Sequence, residues 1–174
     1  YDAHLQGNGK GTVDYVCDKA YPKILETLLR AELNSNVLRV YNLGYYGASL
    51  NTYIPQLDAI FGDVYADVKM VGITLFINDR GYYNSDATFI EGTKTKLEQM
   101  VNYFLGKNIV PFLVTSQVVT QWGNNPNTGN VYDYMYNNHI QKLANLVKRD
   151  VAEKYQLEII DMNAFGQLLL SSSD

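Results

Sequence analysis

Apolar residues recur along this chain in two rhythms. Ile24, Leu25, Leu28, Leu29 and Leu33 follow helical spacing, Pro22 suits a first turn and Asn34-Ser35-Asn36 closes the run, so a helix is predicted over residues 20–33. A short apolar run predicts a strand over 37–43. Ser49 or Asn51 can cap a helix reaching residue 61, with Pro55 early in it. The run 68–77 is continuously apolar and reads as a buried strand, followed by a polar loop over 79–86. Phe89, Ile90, Leu97, Val101 and Leu105 predict a long helix over 88–105, with Gly106 as its stop. A strand over 109–115, a loop rich in Asn, Gln and Gly around Trp122, a helix over residues 132–155 and a short strand over 157–160 complete the pattern. Residues 1–18 carry Gly7, Gly9 and Gly11 without periodicity and read as loop. Strands alternating with helices imply βαβ units. The expectation is an α/β fold of three layers, α/β/α, around a parallel sheet of four strands, in one domain spanning residues 1–174.

Composition narrows the function more than the fold. Hydrophobic residues make up 47% of the chain, enough for a core. The net charge of −4 leaves no basic footprint for nucleic acid or an anionic membrane. No stretch is apolar enough to span a bilayer. Residues 1–7 show neither the basic nor the apolar segment of a signal peptide; one removed ahead of Tyr1 is compatible with this. Cys17 is the only cysteine, which rules out an intrachain disulfide and a multi-cysteine zinc site. Lys142, Lys148, Arg149 and Lys154, interspersed with Asp150 and Glu153, read as the solvated face of a helix. Tyrosine is abundant, with 15 residues against 6 Phe, and Tyr45-Tyr46, Tyr82-Tyr83 and Tyr132, Tyr134 and Tyr136 fall in or beside loops. Such a rim suits sugar stacking or a protein interface, and equally suits half-buried loop anchors. Charged residues at 18% lean towards an extracellular, cell-surface or viral-particle setting.

The candidate chemistry lies where two apolar runs stop. One ends in Asn42-Leu-Gly-Tyr-Tyr-Gly47, the other in Asn78-Asp79. Parallel strands ending in such residues place them on the carboxyl edge of a sheet, where ligands bind. A glycine N–H and an Asn side-chain amide are donors suited to an oxyanion. The Gly-rich run 7–12 fails the spacing of a phosphate loop and has no strand before it, which disfavours a flavodoxin-like nucleotide binder.

Asn42-Leu-Gly-Tyr-Tyr-Gly-Ala-Ser49 resembles block II of the SGNH (GDSL) hydrolases, and Phe76-Ile-Asn-Asp79 resembles block III at a strand end. The helix with Tyr21-Pro22 resembles the family's first helix, and Ile159-Ile-Asp161 its last strand. The resemblance covers most of the chain. It implies a serine-dependent hydrolase of acyl esters, plausibly O-acyl esters of carbohydrate, with no metal or organic cofactor. It implies Gly47 and Asn78 as oxyanion donors, and Asp174 as the Asp of the family's Asp-x-x-His. Asp79 is a candidate for hydrogen-bonding the loop around the site or for capping the next turn. Tyr46 and Trp122 are candidates for lining a substrate pocket.

The departures are specific. Phe76 replaces the usual block III glycine, and neither Gly-Asp-Ser nor Asp-x-x-His occurs in the sequence. Tyr1-Asp2-Ala3 with Gly7 is one account, a degenerate nucleophile block with Ala3 in the serine slot. The other, which is favoured, puts the family's first strand and serine before Tyr1 and its histidine after Asp174. A strand from outside residues 1–174 would then fit between the 37–43 and 68–77 segments, supplied by a partner segment or larger assembly. His139 reads as a helix-surface residue, and His4 as a loop residue able to act as a base only if its loop folds over the sheet edge. The alternative to an enzyme is a non-catalytic glycan-binding or structural module on the same fold.

Overall fold

The computed structural model describes residues 21–44, 48–74, 77–116 and 132–171. The chain forms two compact units, Tyr1–Tyr46 and Gly47–Asp174.

In the first unit, helix α1 spans Tyr21–Glu32. The following segment was expected as a strand over 37–43. It is instead irregular chain with a bend at Asn36–Val37, in no strand, and Val37 is exposed. Its backbone groups are taken by helix side chains. Glu26 accepts the Val40 N–H at 2.9 Å, and Arg30 donates to the Leu38 carbonyl at 2.8 Å. Glu26 and Arg30 stand one turn apart on α1 and pair at 3.1 Å. The Val40 N–H, with Lys23 and Arg30 beside it, holds the Glu26 carboxyl below its ordinary value despite burial. Apolar residues alone promise a strand only where another strand offers a ladder; here the side chains of α1 satisfy the backbone instead.

Among the described residues, the second unit holds a parallel sheet of three strands in the order β1-β2-β3, formed by Met70–Ile73, Val110–Val114 and Ile159–Ile160. Met70 pairs with Val110 and Ile73 with Leu113, and Leu113 in turn with Ile159. Helix α3, Asp86–Gly106, joins β1 to β2; helix α4, Tyr132–Tyr155, precedes β3; helix α5, Met162–Ser171, follows it. The two long helices pack side by side and both lie against β2. Phe89, Leu97, Val101 and Phe104 of α3, Val147 and Val151 of α4, and Ile73 and Leu113 of the sheet are all buried. Strand alternation sets the two faces. Ile73 and Leu113 are buried, while Met70, Val110 and Ile160 on the opposite face are exposed.

The segment expected as one helix to residue 61 breaks into pieces. Helix α2, Leu50–Tyr53, passes into a 3-10 turn at Ile54–Gln56 and a π-helical turn at Ala59–Val64. Pro55 has no N–H to continue an α-helical ladder, and the chain tightens there. Phe61 from the π turn packs edge-on against Phe104 at 4.9 Å, which ties this segment to α3. The 68–77 run also ends early as a strand, at Ile73. A 3-10 turn at Ile77–Tyr82 then carries Asn78 and Asp79. The last helix, α5, was not expected; Asp161 begins it by accepting the Ala164 N–H at 3.0 Å.

Candidate functional site

The carboxyl ends of the strands gather the polar residues of the second unit. After β1, the 3-10 turn brings Asn78 and Asp79 against the segment that opens α2. Asn78 Nδ2 donates to the Ala48 carbonyl at 2.8 Å. Both carboxylate oxygens of Asp79 face the Leu50 N–H at 3.1 Å. Blocks separated by almost thirty residues of sequence are thus joined by two side chains. Asn78 is exposed, and its amide holds a second N–H beyond the one given to Ala48. Asp79 has no exposed surface, and it satisfies a donor at the α2 N-terminus that no helical carbonyl can reach. Burial pushes the Asp79 carboxyl up, against the Leu50 and Asn51 N–H groups and the Lys96 charge, which pull it down.

Gly47, Tyr46, Trp122 and Asp174 lie outside the described residues, as do His4 and Ala3. Ala48, next to Gly47 in sequence, is the residue that Asn78 contacts.

Two of the described serines, Ser49 and Ser85, sit at helix starts. Ser49 is buried at the start of α2, its N–H donating to Thr52 Oγ1 at 3.2 Å and its hydroxyl 3.2 Å from the same atom. Ser85 caps α3 through the Thr88 N–H at 3.3 Å. His139, at the surface of α4, pairs with Asp86 at the start of α3 at 2.7 Å. No hydrogen bond joins a serine hydroxyl to a histidine among the described residues, and no group of His, Cys, Asp and Glu there could hold a metal ion.

Helix α4 lies beside this edge with Lys148 and Arg149, which the sequence reading placed in solvent, and with Asn145. Lys148 has no exposed surface; its ammonium donates to the Val114 carbonyl at 2.8 Å and to the Thr74 carbonyl at 3.2 Å. Asn145, also buried, accepts the Ser116 N–H at 2.9 Å and donates to the Ser116 carbonyl at 3.2 Å. Arg149 clasps Asp161 through three contacts of 2.8 to 3.1 Å, and Thr115 donates to Asp161 at 2.9 Å. Burial alone would raise the Asp161 carboxyl, but the Ala164 N–H, Arg149 and Thr115 together leave it below its ordinary value. The signal for Lys148 was in the spacing. It lies one turn after Ala144 and one before Val151, on the helix's own apolar stripe. A long aliphatic stem fits that stripe, and the two carbonyls receive the charged head.

No protein-family model matches this sequence. No curated protein matches it. Solved structures share its fold. The psychrotrophic esterase EstA from Pseudoalteromonas sp., in a structure inhibited by monoethylphosphonate, superposes with a TM-score of 0.58 at 16% identity over 83% of this chain and 67% of that one. The acetyl xylan esterase AlAXEase gives 0.65 at 15% identity, covering 91% of this chain and 76% of its own. LAE5, an α/β hydrolase enzyme from the metagenome of Lake Arreo, Spain, gives 0.63 at 18% identity over 86% and 66%. These similarities place the chain in the α/β/α class that its alternation of strands and helices predicts.

Proposed function

We propose that the carboxyl edge of this sheet is the oxyanion-binding part of an SGNH-type ester hydrolase site, acting on acyl esters and plausibly on O-acyl groups of carbohydrate. The observation that carries the reading is the junction of Asn78 with Ala48 and of Asp79 with Leu50. It ties the candidate amide donor to the segment that begins at Gly47. The fold shared with an acetyl xylan esterase and two further hydrolases supports the same reading. In the reaction, a serine oxygen attacks the ester carbonyl carbon and its proton passes to a histidine. The carbonyl oxygen takes up the negative charge between the Gly47 N–H and the Asn78 amide. Collapse of the intermediate expels the alcohol, which takes the proton from the histidine, and water then releases the acid by the same steps in turn.

A second reading, a glycan-binding module without turnover, is favoured by the engagement of Ser49 and Ser85 in caps and of His139 with Asp86. Two measurements separate them. Hydrolysis of p-nitrophenyl acetate and acetylated xylo-oligosaccharide by residues 1–174 is expected to be slight, and Ser49→Ala should leave it unchanged. Any turnover that is present should fall about 100- to 1000-fold in Asn78→Ala. Titration with methylphosphonate, followed by the Asn78 side-chain amide resonance, reads the anion site without turnover. A silent Asn78 resonance together with hydrolysis indifferent to Asn78→Ala would sink the hydrolase reading. Hydrolysis lost in Ser49→Ala would make that buried cap the nucleophile and overturn the assignment of roles.

A further inference from the structure

Lysine is among the residues least often fully buried, because removing an ammonium from water is costly. Lys148 is fully buried at a place where it joins two strand ends. Thr74 follows the last residue of β1, and Val114 is the last residue of β2. Asn78 lies four residues beyond Thr74, in a turn against which α4 also packs. One turn earlier on α4, Asn145 holds the Ser116 backbone by both its N–H and its carbonyl. The helix therefore grips the chain where it leaves β1 and again where it leaves β2.

We infer that Lys148 is a positioning residue for the anion site: by holding the Thr74 and Val114 carbonyls together it fixes the position from which the Asn78 turn departs. The inference rests on the proposed role of Asn78 and adds a part of the site that no spacing motif marks. A plain packing role would be served by an apolar side chain of the same length, and leucine or methionine would fill the stripe at lower desolvation cost. What the lysine adds is a set of donors aimed at the Thr74 and Val114 carbonyls. Burial pushes the Lys148 ammonium down to about 7, so the charge at this junction changes near neutral pH.

Other charged groups border α4. His139 pairs with Asp86, Lys94 with Asp150, Lys154 with Glu98 and Arg149 with Asp161. Asp79 lies on the turn that packs against α4. The first measurement uses the native chain. The Asn78 side-chain amide resonance is followed by NMR from pH 6 to 9, with His139→Gln as a control for the imidazole. A shift with its midpoint near 7, kept in His139→Gln, is expected.

The second measurement compares two variants. Lys148→Met keeps the volume and removes the donors; it should abolish the pH response and weaken methylphosphonate binding by about tenfold. Lys148→Gln keeps a donor amide that does not titrate; it should lose the pH response while recovering part of the affinity. A native Asn78 resonance that is flat across this range, or one that titrates unchanged in both variants, overturns the inference. The native titration decides the matter even if both variants fail to fold. If Asn78 responds to Lys148 but not to methylphosphonate, the positioning role stands and the hydrolase reading fails.

Discussion

At the scale of single residues, the neighbours Asn78 and Asp79 divide their work by exposure. Asn78 reaches the surface with one amide N–H spent on Ala48, while Asp79 is sealed against the Leu50 N–H. Removing the Asp79 carboxylate leaves that buried donor without its acceptor, so Asp79→Ala should destabilise the protein by about 1–3 kcal/mol, measured by urea unfolding. Asp79→Asn keeps an oxygen for Leu50 and avoids burying a charge; its cost should stay under about 1 kcal/mol. The pH dependence has a definite sign. Burial raises the folded-state value of Asp79 above the unfolded one. Its contribution to stability is therefore complete below the ordinary carboxylate range and is lost as pH rises through the folded value. Asp79→Asn should remove that loss. A variant whose stability falls as steeply as the native protein's over the same range would mean that Asp79 is not the group responsible.

At the scale of elements, α3 shows how a glycine inside a helix can be required. Tyr83 lies over Gly92, where a Cβ would overlap the ring, and the ring meets Phe89 edge-on at 5.7 Å. Gly92→Ala should gain about 1 kcal/mol in helix propensity. It must also displace the Tyr83 ring from this packing, a cost of about 1–3 kcal/mol. The net expectation is a lower melting temperature, recovered in part when Tyr83→Ala is added. A simple rise in melting temperature in Gly92→Ala would show that Tyr83 moves aside freely.

The elements also show what was legible in the sequence. The bounds of α4 were readable because Ile140, Ala144, Val147 and Val151 repeat at helical spacing. The strands at 70–73 and 110–114 were readable as apolar runs, though both were drawn too long. The 37–43 run was misread because its backbone partners are Glu26 and Arg30, and an ionic side chain bonding to distant backbone leaves no periodic mark. That Asn78 and Asp79 follow the second apolar run was legible, since a polar stop after an apolar run is local; that the strand ends at Ile73 and the two sit in a 3-10 turn was not. The burial of Lys148 was missed although its place on the α4 apolar stripe marked it, because a charge on a helix is ordinarily a solvated one and only the assembled sheet supplies the carbonyls that receive it.

At the scale of the whole molecule, each unit shows apolar surface that its own described residues leave uncovered. In the second unit, Met70 is 61% exposed, Val110 55% and Ile160 49%, all on the sheet face away from α3 and α4. Phe165 and Leu168 of α5 are exposed as well. Among the described residues β1 and β3 are the outer strands of this sheet, and apolar edges of this kind invite pairing with another chain. Scattered exposed apolar residues are ordinary, but a row along one sheet face is a surface for association. The chain covers 66% to 76% of the length of the three solved structures named above. Residues 1–174 are therefore expected to self-associate at micromolar concentration, as exposed apolar surface and strand edges do. Sedimentation velocity should show the average mass rising with concentration. Val110→Lys places a charge beside Met70 on the open face, where little packing is lost. It should reduce the association while changing unfolding stability by no more than about 0.5–1 kcal/mol. A native chain that stays monomeric with concentration, joined to a loss of several kcal/mol in Val110→Lys, would mean that this face is already covered within the folded chain. An association that Val110→Lys leaves intact would instead move it to the exposed side of α5, where Phe165→Lys is the matching test.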